Sequence, residues 1–246
     1  MKLKIYDISP LKNFFDLIFD SSSEVELKLD QDKLSISLLN DSHIAFYNIE
    51  FDEAFFDEYS IEENGESVLI FVEDFYKILK SSNKDDVLTI ETDDNSMKCI
   101  FEHDLNTRMF ELPLSEDYRD TPQPPLIDYD GEFIVSLSDL KQPCADLDKI
   151  IKTDRFKMVV KDGEMDVLSP ADVMTKYSQR IPIDTSIDAT TTVNLGYIQD
   201  LQKLSKISNL VTLKIGDNIP LTWCMESYDG LVKVGGLVAP ILEENE

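Results

Sequence analysis

The sequence predicts an α+β fold of two similar domains, each made of antiparallel sheet with two helices. Three observations predict it. Through most of the chain, apolar and polar residues alternate in short runs joined by polar turns, the pattern of half-buried antiparallel strands. Four segments carry helical periodicity instead, and two fall in each half. Between the halves, residues 112–125 hold four prolines around a polar middle, which suits an extended linker better than a packed element. Each half therefore reads strand, helix, several strands, helix, several strands, as if one α+β unit had been duplicated. The expected divisions are an N-terminal domain over 1–112, a connector over 113–127 and a C-terminal domain over 128–246.

The first helix is expected over 10–20, with Lys12 beside Asp16. A hairpin comes next, 25–29 with 34–38, turning at Asp30-Gln31-Asp32-Lys33. The second helix, 72–81, lines up Phe71, Phe75, Ile78 and Leu79 as one apolar stripe. At about 100° per residue, Lys77, Lys80 and Lys84 fall on the opposite side. Strands 87–91 and 97–101 close the first half. In the third helix, 138–152, Lys141, Lys149 and Lys152 mix with Asp146 and Asp148, and Pro143 is expected to kink or delay the start. Strands 156–160 and 164–168 pair around Asp162-Gly163. The fourth helix, 195–205, repeats the second: Tyr197, Ile198, Leu201 and Leu204 form the stripe while Gln199, Lys203 and Lys206 face away. The last pair, 211–215 with 221–225, joins through Gly216-Asp217-Asn218.

Charge bears on function in two opposed ways. The chain of 246 residues has 23 Lys and Arg against 49 Asp and Glu, a net charge of -26 that should repel nucleic acid. Yet the outer sides of the second and fourth helices favour lysine. A polar outer face is ordinarily just hydrated. Here acids outnumber bases about two to one, and the lysine side recurs in both halves, which ordinary hydration leaves unexplained. With a Debye length of about 8 Å at physiological salt, distant acids barely cancel a local cluster. Such a face can attract phosphates.

Other classes find little support. No run approaches the roughly 20 apolar residues of a membrane helix, and the first residues lack the apolar core of a signal peptide. The expectation is a cytoplasmic protein away from the membrane. Cys99, Cys144 and Cys224 lie far apart, form no CxxC pair and are odd in number, so neither a zinc site nor a disulfide framework is indicated; buried thiols are expected. There is no GxxxxGK[ST] loop, no GxGxxG turn and no HExxH helix. His43 and His103 are the only histidines. The acidic pairs Asp85-Asp86, Asp93-Asp94 and Asp146/Asp148 read as solvated charge rather than Mg²⁺ ligands. No catalytic residue, metal or cofactor is expected.

A set of short motifs in a fixed order points further. Asp41-Ser42-His43-Ile44 resembles the D-S-S-H-V segment of the proliferating cell nuclear antigen (PCNA) family, the sliding clamps of archaea and eukaryotes. Phe56-Asp57-Glu58-Tyr59, Ile78-Leu79-Lys80 and Asp85-Asp86-Val87-Leu88-Thr89-Ile90 come after it at the family's spacings. Arg108-Met109-Phe110-Glu111-Leu112-Pro113-Leu114 and Pro122-Gln123-Pro124-Pro125 look like the end of the first domain and the connector of archaeal clamps. Val211-Thr212-Leu213, Ile219-Pro220-Leu221 and Leu237-Val238-Ala239-Pro240 resemble the closing signatures. Two departures stand out: Ile241 where relatives usually carry Lys or Arg, and Pro143.

The resemblance implies the DNA clamp fold, a trimeric ring of identical or paralogous subunits around duplex DNA, with helices lining the hole and sheets outside. It implies a non-enzymatic processivity factor for replication and repair, associated with the nucleoid. A clamp loader would open the ring, and DNA polymerase, nuclease and ligase would dock through Q-x-x-Φ-x-x-F-F peptides. Its candidate DNA contacts are Lys12, Lys77, Lys80, Lys84, Lys141, Lys149, Lys203 and Lys206. The partner-peptide pocket falls on Leu39, His43, Ile44, Leu126, Pro220, Leu237, Ala239 and Pro240. Subunits would join by pairing a strand near Arg108, Met109 and Phe110 with a neighbour's strand over 175–181, bearing Lys176, Tyr177 and Arg180 and ended by Pro182. A checkpoint-type clamp relative, or an acidic protein-binding scaffold that does not encircle DNA, remain the alternatives.

Overall fold

The computed structural model describes residues 1–62, 64–93, 95–115 and 124–242. The chain divides into two compact units, Met1–Gln123 with Glu226–Val234, and Pro124–Met225 with Gly235–Glu246. Residues 226–234, expected in the C-terminal domain, thus group with the first unit.

In the first unit, β1 (Lys2–Ile5) leads into α1 (Ser9–Ile18), and β2 (Glu24–Leu29), β3 (Lys33–Leu39) and β4 (Ala45–Asp52) continue as a meander. After β5 (Glu58–Ser60), β6 (Glu66–Phe71) runs directly into α2 (Val72–Lys80), and β7 (Val87–Thr92), β8 (Ser96–His103) and β9 (Asn106–Pro113) complete the unit. The strands form the antiparallel arrays β5-β1-β7-β8-β9 and β4-β3-β2-β6. Alternation sets the register: Leu29 faces Leu34 across the first hairpin, and the Asp30 N–H closes its turn on the Lys33 carbonyl at 2.9 Å. Pro10 occupies the first turn of α1, where its missing N–H has no helical partner to lose. The helix ends at Ile18, short of the expected residue 20, where Ser21 donates to the Ile18 carbonyl at 2.8 Å. The buried rings of Phe15 and Phe75 join the two helices edge to face, 4.8 Å apart, a contact of about 0.5–1.5 kcal/mol beyond simple burial. Phe71 ends β6, half-buried, and is not part of the α2 stripe; Val72, Phe75, Tyr76, Ile78 and Leu79 make it.

The second unit repeats the plan. β10 (Gly131–Ser136) enters α3 (Leu137–Asp146), then come β11 (Arg155–Lys161), β12 (Glu164–Leu168), β13 (Ser178–Pro182) and β14 (Ala189–Asn194). α4 (Leu195–Asp200) continues as a tighter turn over Leu201–Leu204 and leads to β15 (Leu210–Ile215) and β16 (Leu221–Ser227), while the last strand is β17 (Val232–Val238). The arrays here are β13-β12-β11-β14 and β10-β15-β16. Pro143 does not delay α3. The helix begins at Leu137, where the Ser136 hydroxyl accepts the Ser138 N–H at 3.3 Å, and Pro143 is buried well inside it. Beyond Asp146 the chain widens into a π-type turn, Leu147–Ile151, ended by Lys152 in the left-handed region at φ 59°.

Cys99 and Cys144 are buried, and burial alone pushes both thiols up to about 12. Cys224 departs from the expectation and is only half-buried, because Leu221, Trp223 and Met225 take the inward phase of β16. Among the described residues, no helix is long and apolar enough to cross a membrane.

Candidate functional site

The predicted phosphate contacts arise from how the helices bury their apolar sides. With Val72, Phe75, Tyr76, Ile78 and Leu79 inside, the exposed side of α2 reads Glu73, Asp74, Lys77, Lys80. Acids at the start and lysines at the end also suit the helix dipole, so helix stability accounts for part of the pattern. Lys77 pairs with Glu73 one turn back, and that carboxylate raises its pKa. The Lys80 ammonium lies 5.4 Å from the centre of the Tyr76 ring. Burial and then the Asp16 carboxylate, to which its hydroxyl donates, raise Tyr76 to about 12. Lys84 is exposed in the turn beyond the helix. Lys12 reaches from α1 toward the end of α2, its Nζ 3.5 Å from the Ser82 hydroxyl. In this unit Lys12, Lys77 and Lys80 thus share one helix pair, with Lys84 in the turn that follows it.

In the second unit, Lys141 on α3 and Lys149 in the wide turn are exposed, as is Lys206 beyond α4. Lys203 is half-buried and paired with Asp200 at 2.9 Å. The expectation of an uncontested lysine side therefore needs correction at Lys77 and Lys203, each with a carboxylate a turn away. Exposed pairs of this kind are worth about 0.2–1 kcal/mol, little enough for a phosphate to compete for the ammonium.

A second candidate surface is the loop between β3 and β4. Leu39 closes β3 half-buried, and His43 and Ile44 stand exposed at the tip. Asn40 organises the loop, and no sequence pattern marks it. In the second unit, Pro220, Leu237, Ala239 and Pro240 are half-buried and Leu126 is fully exposed. The Ile241 N–H donates to the Thr192 carbonyl at 2.7 Å, which fixes the chain just after Pro240. None of these eight predicted pocket residues belongs to the buried core.

The third surface is made of strand edges. β9 ends the array β5-β1-β7-β8-β9, and β13 ends the array β13-β12-β11-β14. On β9, Met109 is exposed and Phe110 sits half-buried against Phe101. Arg108 turns inward, donating to Asp86 at 2.5 Å and to the Ser81 carbonyl at 3.1 Å. The predicted strand over 175–181 starts later than expected, at Ser178. Lys176 lies in the preceding loop, where its ammonium donates to the Ala171 and Val173 carbonyls at 2.7 and 2.9 Å. The Tyr177 N–H donates to the Ser169 hydroxyl, so both residues serve the loop and not the strand. Arg180 pairs with Asp166 and Glu164 on β12, and its hydrogen bond holds the Asp166 carboxyl below the usual range. Pro182, opposite Glu164, closes the strand where its missing N–H is harmless.

The acidic pairs resolve one by one. Asp86 is not solvated charge: it is 2% exposed. Burial pushes its carboxyl up, but the Asn83 N–H groups and the Arg108 guanidinium more than offset this and hold it low. Asp93 is exposed and accepts from Asn95, Ser96 and Lys98, which lowers it to about 2, while Asp94 lies outside the described residues. Asp146 accepts from Gln142 at 2.8 Å and Asp148 is exposed. Among the described residues, no group of His, Cys, Asp or Glu could hold a metal ion.

Comparison with known proteins places this geometry. The family model for the N-terminal domain of proliferating cell nuclear antigen matches residues 1–117. A DNA polymerase sliding clamp of Methanothermobacter thermautotrophicus is 30% identical over 254 residues, covering 100% of this chain and 99% of the relative. A DNA polymerase sliding clamp of Methanobrevibacter smithii is 28% identical over 253 residues, with 100% and 99% covered. Two solved structures share the fold. The PCNA2–PCNA3 complex of Sulfolobus tokodaii matches with a TM-score of 0.87 at 22% identity, covering 99% of this chain and 100% of that one. The PCNA of Entamoeba histolytica matches with a TM-score of 0.86 at 16% identity, covering 98% of each chain.

Proposed function

The chain belongs to the proliferating cell nuclear antigen family of DNA polymerase sliding clamps, of the archaeal type, and from that premise we propose that it forms a closed ring around duplex DNA and tethers a polymerase to it. Three subunits, identical or paralogous, make the ring, each offering its β9 edge to a neighbour's β13 edge. A clamp loader opens it. The chain performs no chemistry of its own; it acts by confinement. Leu39, His43, Ile44, Leu126, Pro220, Leu237, Ala239 and Pro240 carry the partner-peptide role that the resemblance assigns, toward polymerase, nuclease and ligase.

The observation that carries this reading is the recurrence of lysines at the second helix of each unit, Lys77 and Lys80 on α2 with Lys84 in the turn after it, and Lys203 in the turn that continues α4 with Lys206 just beyond, in a chain of net charge -26. Phosphates carry no base sequence, so contacts of this kind permit sliding on any duplex. Lysine suits the task, being a mobile point charge without arginine's rigid fork. Confinement by closure needs only weak contacts, since each additional neutralised phosphate tightens binding and would slow movement. The test is topological. Once loaded, the protein should stay on circular DNA and run off the same molecule after it is cut. Equal retention on circular and linear DNA would sink the ring reading in favour of ordinary affinity.

A further inference from the structure

We infer that Asn40 is the positioning residue of the β3–β4 loop, holding it in the one shape that presents His43 and Ile44 to a partner peptide. This rests on the partner-peptide role proposed above for that loop.

The loop makes a tight reversal between Leu39 and Ala45, and its geometry converges on one side chain. Asn40 is 8% exposed. Its Oδ1 accepts the N–H of Ile44 at 2.9 Å and that of Ala45 at 2.9 Å, while its Nδ2 donates to the Ser42 hydroxyl at 2.8 Å. The Asn40 backbone adds a second bracket: its N–H donates to the Ala45 carbonyl and its carbonyl accepts from His43, both at 2.8 Å. The Asp41 N–H donates to the Ser21 carbonyl at 3.0 Å, which ties the loop to the chain between α1 and β2. Within these bonds His43 adopts φ 59°, a left-handed conformation that residues with a Cβ usually avoid. Ile44, next along, is left 41% exposed although it is a large aliphatic residue.

Folding and binding divide between these residues. An exposed isoleucine and a histidine in an unfavourable conformation contribute nothing obvious to folding. Without the amide, two N–H groups would lose their acceptor in a half-buried place, and the loop would gain many alternative shapes. A loop ordered before binding loses less entropy when a partner arrives. The amide is suited because one oxygen can take both N–H groups while the nitrogen donates, which a hydrocarbon of the same size cannot do.

The test uses the full chain with Asn40→Ala and Asn40→Asp, and a synthetic Q-x-x-Φ-x-x-F-F peptide as probe. Hydrogen exchange across residues 40–45 and calorimetric peptide binding are read together, with exchange in β7 and β8 as the check that the fold is intact. Asn40→Ala should lose protection at Ile44 and Ala45 and bind the peptide about tenfold more weakly, the effect of about one hydrogen bond's worth of lost order. Asn40→Asp keeps both acceptor contacts and should restore protection and binding to within about threefold of wild type, because a carboxylate accepts from the same two N–H groups. The inference is overturned if Asn40→Ala keeps its protection. It is overturned equally if protection is lost and affinity stays unchanged, since loop order would then be irrelevant to binding. Wild-type protein that ignores the peptide would instead bring down the partner-peptide role, and the assignment of Asn40 with it.

Discussion

At the scale of the residue, Arg108 shows how one side chain can be withheld from an exposed edge. It sits on β9 but bends inward over the Phe101 ring, 5.3 Å from its centre, and spends its guanidinium on Asp86 and Ser81. Its pairing satisfies a carboxylate that is otherwise out of contact with water. Arg108→Ala should therefore destabilise the fold by roughly 1–3 kcal/mol, the range for leaving a buried polar group without its partner. The pH dependence has a definite sign. The Asp86 carboxyl is held below its ordinary value, so its contribution is present above that value and is lost as pH falls through the folded one. Removing Arg108 lets the folded value climb toward the unfolded one, so the variant should be less stable at neutral pH, lose less stability on acidification, and approach wild type at low pH. Urea unfolding between about pH 3 and pH 7 measures it. Parallel curves for the two proteins would mean that Asn83 alone satisfies Asp86.

At the scale of the element, the lysines on α2 and in the turns that follow α2 and α4 carry the proposal about DNA. Replacing Lys77, Lys80, Lys84, Lys203 and Lys206 together by Ala should leave folding nearly intact, since exposed changes usually fall within about ±0.5 kcal/mol each. Slightly more is expected at Lys77 and Lys203, which lose pairs with Glu73 and Asp200. Assembly and peptide binding should persist. Polymerase stimulation on primed circular DNA should drop, and its dependence on salt should flatten by about 0.9 per phosphate contact removed. A control losing five lysines from strands and turns should behave as wild type. If the control falls as far as the helix variant, the helices hold no privileged cations.

At the scale of the whole molecule, the net charge of -26 works against both compactness and contact with DNA, and salt acts on the two in opposite senses. Screening relieves self-repulsion among the acids, so the thermal midpoint should rise by a few degrees between about 0.02 M and about 0.5 M NaCl. Over the same range, stimulation of a polymerase should fall as the lysine–phosphate attraction is screened. One salt titration read by calorimetry and by primer extension checks both. If both quantities rise with salt, the lysines do not contact phosphate; if both fall, the acidic surface costs the fold nothing.

The sequence by itself determined the repeated α+β plan. Period-2 alternation in β2, β3, β7, β8, β11, β12, β15 and β16, and the 3.6-residue stripes of α2 and α4, are local signals written in consecutive residues, and they set which side of each element turns inward. It also determined the family, through motifs spread along the whole chain, and the outward placement of Lys77 and Lys80 on α2, because a face opposite an apolar stripe can be read off by angle. Only the tertiary structure decided how deep the turn residues lie. Asp86 and Asn40 look like ordinary polar loop positions, beside Asp85 and Asp41, yet both are buried, Asp86 satisfied by nearby Asn83 and by Arg108 from β9, and Asn40 within its own loop by Ser42, Ile44 and Ala45. Cys224 has the look of a core residue and is half-buried, because its neighbours on β16 fill the inward phase. The start of β13 at Ser178 was likewise decided by bonds from Lys176 and Tyr177 back to residues 169–173. Periodicity reports direction, which each residue shares with its neighbours. Depth and partnership depend on the path the backbone takes, as in the loop around Asn40, and on the segment that arrives from afar, as Arg108 does at Asp86, and periodicity encodes neither.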